Sequence, residues 1–254
     1  MTGRAGALAS WWPGLLVAAL VLWSAATLEA DLSRVAAAGP RLGAFIARMA
    51  PPDLSVWPEV LDGLLETLRI AVVGTLGAIL LSAILGPAAA ATVSPGWIVR
   101  PARVLLALLR AVPLIIVAML MVSAVGLGPL PGILAVLIHG TGMLAKYYAE
   151  AIDDVDPAAS AALESAGAGL LQRLRFAVWP QMAPAALRDT IFRFELNLRE
   201  SLILGVVGAG GIGLHIQTYV RSFQFEKAAT ATLAVVAAVL LIEALNGALR
   251  RRVA

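Results

Sequence analysis

The alternation of long apolar runs with short polar segments predicts an all-α protein that crosses a membrane about six times. A helix needs about 20 mostly apolar residues to cross the hydrocarbon core of a bilayer. The sequence predicts one transmembrane domain over residues 1–254, with spans at about residues 11–28, 67–91, 107–125, 131–148, 189–207 and 228–249. A signal peptide is the alternative for the first run, but its length and its interfacial tryptophans favour an uncleaved span.

An amphipathic segment, residues 32–49, lies between the first two runs. Arg34, Arg41 and Arg48 recur at every seventh position, whereas most apolar side chains fall on another side of a helix. This pattern predicts a helix in the plane of the lipid headgroups, interrupted at Gly39–Pro40. An irregular external loop is the alternative.

The basic residues predict the orientation of the chain. If the amino terminus is cytoplasmic, most of the Lys and Arg residues fall in segments on the cytoplasmic side. Because such segments are enriched in Lys and Arg, both termini are predicted to be cytoplasmic. The long connection over residues 150–183 is then cytoplasmic as well.

A short helix is predicted inside this connection. Asp156 suits the capping position, Pro157 suits the first helical position, and Gly167 marks the end. A helix of about ten residues is too short to be stable alone in water and needs a surface to pack on. One face, flanked by Glu164, carries small side chains: Ala158, Ala161, Ala162 and Ser165. The spacing leaves open whether this face docks on a partner or on the bundle of its own subunit.

The fifth predicted span carries polar side chains near its centre: Arg193, Glu195, Asn197, Arg199 and Glu200. Charge inside a bilayer is costly and usually faces protein or a water-filled path. At about 100° per residue, Glu195 and Arg199 share one side of the helix, and the other three share another. Each side contains opposite charges, so two interpretations stay open. The charges form ion pairs that hold the fold, or at least one Arg lines a path for an anion.

His139 lies about halfway along the fourth predicted span, and Lys146 follows it on the same helical face. A polar side chain at that depth is a candidate for a translocation path. A hydrogen-bonded packing role is the alternative for this histidine.

Four glycines follow the fifth predicted span: Gly208, Gly210, Gly211 and Gly213. Three of them match the GxGxxG pattern of dinucleotide-binding folds, but that pattern requires a parallel sheet, which long apolar helices do not provide. The glycines instead predict a tight turn near the external mouth, where irregular backbone is tolerated if it lines a cavity.

The composition agrees with a membrane protein, because 60% of the 254 residues are hydrophobic and 14% are charged. Zero Cys excludes a disulfide framework, and only two His argue against a metal site. The net charge of +3 is assigned to cytoplasmic loops rather than to a nucleic-acid partner. The chain lacks a GxxxxGK[ST] phosphate loop, so we predict no ATPase site, no catalytic residue and no cofactor bound by this chain. An intramembrane enzyme would need a catalytic cluster, and an ion-driven carrier would need inverted repeats; the sequence offers neither.

The segment AALESAGAGLLQRLRFAVWP is similar to the cytoplasmic EAA loop of ABC-importer permeases. Gly167 and Pro180 stand at the separation of that pattern, and Ala162 matches its central Ala. Three residues depart from it: Ala161 for Glu, Ala177 for Ile and Trp179 for Leu. The segments LRAVPLIIVAML and FRFELNLRESLILGVVGAGGIG narrow the resemblance to the permeases of phosphonate and phosphite importers.

This resemblance implies a homodimer in a bacterial inner membrane, surrounded by lipid. It further implies two cytoplasmic ATPase subunits that hold ATP and Mg and dock on the two loops, and an external binding protein that delivers the anion. The glycine segment would belong to the external gate. Phosphonate, phosphite or a related phosphorus oxyanion is the expected cargo, and another small solute, such as an amino acid, is the alternative.

Overall fold

The computed structural model describes residues 11–27 and 32–253, and these residues form helices and no strand. The all-α class predicted from the apolar runs is therefore confirmed. The chain divides between Arg48 and Met49 into two compact units, which are described separately. The single transmembrane domain over residues 1–254 stays a prediction.

The first unit contains two helices, α1 (Trp12–Thr27) and α2 (Leu32–Arg48). None of the described residues of α1 is buried, as expected for an apolar helix without protein around it. Helix α2 runs through Pro40 without the predicted interruption. Because Gly39 has no Cβ to meet the proline ring, part of the usual clash before proline is absent. The placement of α2 at the headgroups stays a prediction.

The second unit begins with a 3₁₀ turn (Leu54–Val56) that leads into the long helix α3 (Trp57–Ala89). The carboxylate of Asp53 caps this turn by accepting a hydrogen bond of 2.9 Å from the backbone N–H of Ser55. Hydrogen bonding by the side chain and backbone of Ser55 lowers the pKa of Asp53 below its ordinary value. The segment that precedes the second predicted span is thus fixed to the start of α3.

Two shorter helices follow, α4 (Gly96–Ala111) and α5 (Leu114–Val125), with an angle of 88° between them. The predicted span 107–125 is therefore divided between two helices. The reason is Pro113, which lacks a backbone N–H and drives the preceding Val112 into an extended conformation, with φ −90° and ψ 121°.

Helix α6 (Pro129–Asp153) packs along α3 through close contacts at glycines. A Cβ added at Gly74 would lie 2.7 Å from the side chain of Val136, and one at Gly86 would lie 2.8 Å from Cβ of Tyr148. Small residues at these positions let the two backbones approach closely, as is common between membrane helices.

The connection after α6 contains α7 (Pro157–Ser165), α8 (Leu170–Arg173) and a π-helical turn (Leu174–Val178). Helix α9 (Trp179–Leu204) then begins ten residues before the predicted fifth span. A 3₁₀ turn (Gly205–Val207), α10 (Ile212–Arg221) and α11 (Phe225–Val253) complete the second unit.

Four helical stretches among the described residues are long and apolar enough to cross a membrane: Leu54–Ala89, Pro129–Asp153, Leu170–Arg221 and Phe225–Ala244. The bent pair α4 and α5 adds a fifth if it counts as one span, and α1 is a shorter apolar helix. The chain is therefore a polytopic helical membrane protein. The limits of the six predicted crossings stay a prediction.

Candidate translocation, coupling and gate sites

Arg193, on α9, lies at the centre of a buried polar network and is only 1% exposed. Its Nη2 donates a hydrogen bond of 3.0 Å to Oε2 of Glu200 and lies 3.0 Å from Nδ1 of His139. Its Nη1 lies 3.0 Å from Sδ of Met143. The network thus joins α9 to α6, and it brings together His139, Arg193 and Glu200 from the predicted path residues.

Asn197 lies one helical turn from Arg193 and is fully buried. Its Nδ2 donates a hydrogen bond of 2.8 Å to Oγ1 of Thr75 on α3, and its backbone carbonyl oxygen accepts one of 2.7 Å from Oγ of Ser201. In the part of the chain that the structure describes, Nε of Arg193 and Oδ1 of Asn197 have no hydrogen-bond partner. A buried polar atom without a hydrogen-bond partner lowers the stability of the fold by about 1–3 kcal/mol. Each of these two atoms can still form a hydrogen bond inside the bundle.

Both of these side chains border Gly140, where a Cβ would lie 3.5 Å from Nδ2 of Asn197 and 3.9 Å from Nε of Arg193. The absence of a side chain at this position lets α6 approach the arginine closely. The sequence gave no indication of the partners across this contact.

The other polar side of α9 carries Arg199, whose side chain is 49% exposed. Nη2 of Arg199 lies 3.5 Å from Oε1 of Glu195 and donates a hydrogen bond of 3.1 Å to Oε1 of Glu243 on α11. The two polar sides predicted from helical geometry are therefore present, each with its own ion pair. The role of Glu243 was missed, although an acidic residue inside the last apolar run was a signal for it.

The predicted helix in the connection forms as α7, with the expected signals at both ends. Oδ1 of Asp156 accepts a hydrogen bond of 2.9 Å from the backbone N–H of Ala158, and Pro157 occupies the first turn. Gly167 adopts φ +83°, and its N–H donates a bond of 2.9 Å to the carbonyl oxygen of Glu164. None of the described residues of α7 is buried. Ser160 and Leu163 are half-buried, so α7 packs only in part on its own chain, and docking of its exposed face on a partner stays a prediction.

The small face of α7 is open to solvent. Ala161 and Ala162 are exposed, and Oγ of Ser165 donates a hydrogen bond of 2.9 Å to the carbonyl oxygen of Ala161 in its own helix. Nη1 of Arg173 donates a hydrogen bond of 2.6 Å to Oε2 of Glu164, which fixes α7 to the segment that follows. Pro180 is exposed in the first turn of α9.

Large apolar side chains beside α7 are also exposed: Leu171 (81%), Phe176 (63%) and Trp179 (59%). We define α7 and these three side chains as the loop surface. Its small and apolar composition is typical of a surface that another protein covers.

The glycine segment forms a buried turn after α9. Gly208, Gly210 and Gly211 have φ of +84°, +81° and +77°, a region that residues with a side chain adopt only with strain. A Cβ at Gly213 would lie 2.5 Å from the carbonyl oxygen of Leu202. The segment that matched GxGxxG therefore follows a helix and closes a tight turn, as predicted.

Side chains of α3 hold this turn in place. Oγ1 of Thr67 accepts a hydrogen bond of 2.9 Å from the backbone N–H of Ile212, and the Cβ position of Gly210 lies 2.8 Å from Oε1 of Glu66. The N–H of Gly128, before α6, donates a bond of 3.1 Å to the carbonyl oxygen of Gly208. The turn thus contacts two long helices at once.

The fold and these sites define a helical membrane protein with a buried charged network and a short exposed helix in the connection between two of its long helices. Residues 78–254 match the family described as binding-protein-dependent transport system inner membrane component. The chain belongs to this family of inner-membrane permeases, whose members have no ATPase site of their own.

Two relatives narrow the similarity further. The chain is 38% identical over 245 residues to the phosphite transport system permease protein PtxC of Stutzerimonas stutzeri, covering 96% of this chain and 84% of that protein. It is also 38% identical over 218 residues to the phosphate-import permease protein PhnE of Mycolicibacterium smegmatis, covering 84% of this chain and 40% of that protein. The resemblance to phosphonate and phosphite permeases inferred from the sequence motifs is confirmed.

A solved structure of the MetNI methionine ABC transporter in an inward-facing conformation has the same fold. The TM-score is 0.67 at 19% identity, and the match covers 80% of this chain and 99% of that one. At this identity the likeness concerns the fold alone.

Proposed function

We propose that this chain is the permease subunit of an ATP-driven importer that carries a phosphorus oxyanion across the inner membrane. The observation that carries this proposal is the 38% identity, over 96% of the chain, to a phosphite permease. The phosphate-import relative has cargo of the same chemistry. Phosphite, phosphonate and phosphate are therefore the solutes to test first.

The working assembly in this proposal contains two copies of the chain, two cytoplasmic ATPase subunits and an external binding protein. ATP and Mg belong to the ATPase subunits. Apolar side chains on the outside of α3, such as Leu80 and Ile84, each 69% exposed, suit contact with lipid or with the second copy. Both termini are placed in the cytoplasm on the distribution of basic residues.

Helix α7 is the proposed coupling element. Its capped ends, its exposed small face and its link to Arg173 support a role as a rigid lever that an ATPase subunit grips. Because α6 precedes α7 and α9 follows it, movement of the lever would tilt both helices. Ala161, in place of the Glu of the EAA pattern, leaves Glu164 as the acidic residue of α7.

Arg193 is the proposed contact for the oxyanion on the path. A guanidinium group binds tetrahedral oxyanions well because it offers several donors in a planar fork. In this structure Glu200 pairs with Nη2 of Arg193. The side chain of Glu200 is 33% exposed, whereas that of Arg193 is 1% exposed. In this mechanism Glu200 neutralises Arg193 between cycles and gives way when the anion arrives. Arg199, Glu195 and Asn197 support the same segment of α9.

The turn at Gly208, Gly210, Gly211 and Gly213 is the proposed external gate. Its backbone contacts both α3 and the start of α6, so a relative movement of these helices would change the opening. The left-handed glycines permit this close packing without side chains in the gap.

The test is reconstitution of the complete complex in vesicles, followed by measurement of ATP hydrolysis with the binding protein. Binding protein loaded with phosphite, methylphosphonate or phosphate should stimulate hydrolysis, and radiolabelled phosphate should accumulate if it is the cargo. Stimulation by an amino-acid-loaded binding protein, with none by the oxyanions, would assign the same architecture to a different solute.

A further inference from the structure

A cavity lined by charged side chains lies between α4, α6 and the end of α3, and its lining residues are different from those of the Arg193 network. The cavity has a volume of about 290 Å³, and three basic and two acidic side chains line it: Arg103, Arg110, Lys146, Glu150 and Asp153. A water molecule takes up about 30 Å³ in the liquid, so the cavity has room for a phosphate group together with several waters.

Two of the basic side chains already have carboxylate partners. Nη2 of Arg103 donates a hydrogen bond of 2.9 Å to Asp153, whose other oxygen accepts bonds from the backbone and side chain of Thr92. Nζ of Lys146 lies 2.8 Å from Oε1 of Glu150 in a pair whose side chains are 41% and 54% exposed. Asp153 is therefore fully engaged, whereas the exposed Lys146–Glu150 pair is easily rearranged.

Arg110 is the third basic side chain, and its charge is not neutralised by the lining carboxylates. Its Nε donates a hydrogen bond of 3.2 Å to the carbonyl oxygen of Leu106 in its own helix. Among residues 11–27 and 32–253, neither terminal nitrogen of Arg110 has an acceptor. The cavity therefore has one positive charge in excess and a guanidinium edge with free donors.

The position of Arg110 is fixed by packing against α6. Its Cγ lies 3.1 Å from the point where Gly142 would carry a Cβ, so the side chain fills the space left by this glycine. A partly buried guanidinium with a fixed stem loses little freedom when it binds an anion, which strengthens binding.

We propose that Arg110, with Lys146 beside it, binds a tetrahedral phosphorus oxyanion in this cavity. Two parallel N–H donors of the guanidinium match two oxygens of such an anion, and the ammonium group of Lys146 supplies a third donor after release from Glu150. A dissolved phosphate-type anion and the headgroup of an anionic phospholipid share this chemistry. The site is separate from the Arg193 network, so it does not require that the oxyanion be the transported solute.

The first test maps phenylglyoxal modification of individual arginines by mass spectrometry on the intact complex. In nanodiscs of neutral phosphatidylcholine, inorganic phosphate should slow the modification of Arg110 several-fold and leave Arg188 unchanged. Arg188 is a suitable internal control because its side chain is 76% exposed. Protection of Arg110 by phosphatidylglycerol without added phosphate would identify a lipid headgroup as the ligand. Protection by neither phosphate nor phosphatidylglycerol would overturn the proposal.

The second test measures binding of radiolabelled phosphate, and retention of phosphatidylglycerol by native mass spectrometry, in variants of the complex. Arg110→Gln should weaken either phosphate binding or phosphatidylglycerol retention about tenfold or more, because the hydrogen bonds from the guanidinium group to the anion are lost. Arg110→Lys should have a smaller effect, and Arg188→Gln should have none.

Wild-type affinity for both ligands in Arg110→Gln would refute the site. If this variant does not assemble, phenylglyoxal protection of Arg110 in the wild-type complex is the deciding test of the site. Oxyanion-stimulated ATP hydrolysis is measured separately, so a failure of the cavity proposal is distinguishable from a failure of the proposed transport function.

Discussion

The buried network at Arg193 and the exposed loop surface at α7 use the same ion-pair chemistry in opposite environments. Arg193 and Glu200 pair at 3.0 Å with the arginine side chain 1% exposed, whereas Arg173 and Glu164 pair at 2.6 Å with the glutamate side chain 66% exposed. We expect the shorter pair to contribute less to stability, because water competes for its more exposed charges and side-chain entropy opposes the contact. Burial, more than distance, is then expected to determine which pair the fold depends on.

The two regions also differ in whether a single chain supplies all of their contacts. The Arg193 network takes its members from α3, α6 and α9 of a single chain. The loop surface exposes Ala161, Ala162 and Phe176, and in the proposed assembly an ATPase subunit covers it. Changes in the first region should affect folding and transport together, and changes in the second should affect transport alone.

The largest effect is expected for Arg193→Ala. Removal of one partner from a buried pair leaves the other without compensation, and we expect a loss of about 3 kcal/mol in stability because Glu200 retains some solvent. Uptake by the reconstituted complex should fall to background. The measurements are the thermal unfolding midpoint of the complex and oxyanion uptake.

Arg199→Ala is the matched control on the other side of α9, where the arginine side chain is half exposed. It should cost no more than about 1 kcal/mol in stability, since exposed pairs contribute little. A stable, fully transporting Arg193→Ala variant would exclude this residue from both the path and the structural core.

The second effect is expected for Ala162→Arg, a large side chain on the exposed small face of α7. Because none of the described residues of α7 is buried, the variant should keep wild-type stability within about 0.5 kcal/mol. It should nevertheless lose docking of the ATPase subunit and lose stimulated hydrolysis. Copurification of the ATPase subunit and hydrolysis rates are the measurements, with Ala162→Ser as the size control. If Ala162→Arg retains wild-type ATPase copurification and stimulated hydrolysis, α7 does not form the interface with the ATPase subunit.

Much of this architecture was predictable because it depends on local sequence. Asp156 and Gly167 mark the ends of α7 within a few residues, and the separation of Arg193 and Glu200 by seven positions places them on one side of a helix. These relations depend only on helical geometry, so they can be predicted without knowledge of the tertiary packing.

The features that sequence reasoning missed depend on which helices are neighbours. Glu243 reaches Arg199 from 44 positions away, and Thr75 reaches Asn197 from 122 positions away. No periodicity within one helix contains this information. The bend at Val112–Pro113 was locally encoded by proline, but the apolar run over residues 107–125 obscured it.

The third effect compares a glycine of the buried turn after α9 with a glycine of the exposed connection that follows α7. Gly211→Ala should destabilise the complex by about 1–2 kcal/mol, since alanine is strained at φ +77° and its Cβ would contact Oγ1 of Thr67. Gly169→Ala, in the loop, should cost less than Gly211→Ala, because φ is −71° and, apart from its chain neighbours, no described atom lies within 4 Å of the added Cβ. Thermal unfolding of both variants is the measurement. Equal stabilities would show that the turn relaxes around a side chain and is not held rigidly by α3.

The smallest effect is expected for the Glu164–Arg173 pair. Glu164→Gln should change stability by no more than about 1 kcal/mol, and a double-mutant cycle with Arg173→Gln should give a coupling energy of the same small size that decreases with added salt. If this pair instead orients α7 against the ATPase subunit, Glu164→Gln should lower the ratio of uptake to ATP hydrolysis while the unfolding midpoint stays unchanged. A large loss of stability with normal coupling would reverse the contrast between the two regions, because an exposed pair would then act as a structural element of the fold.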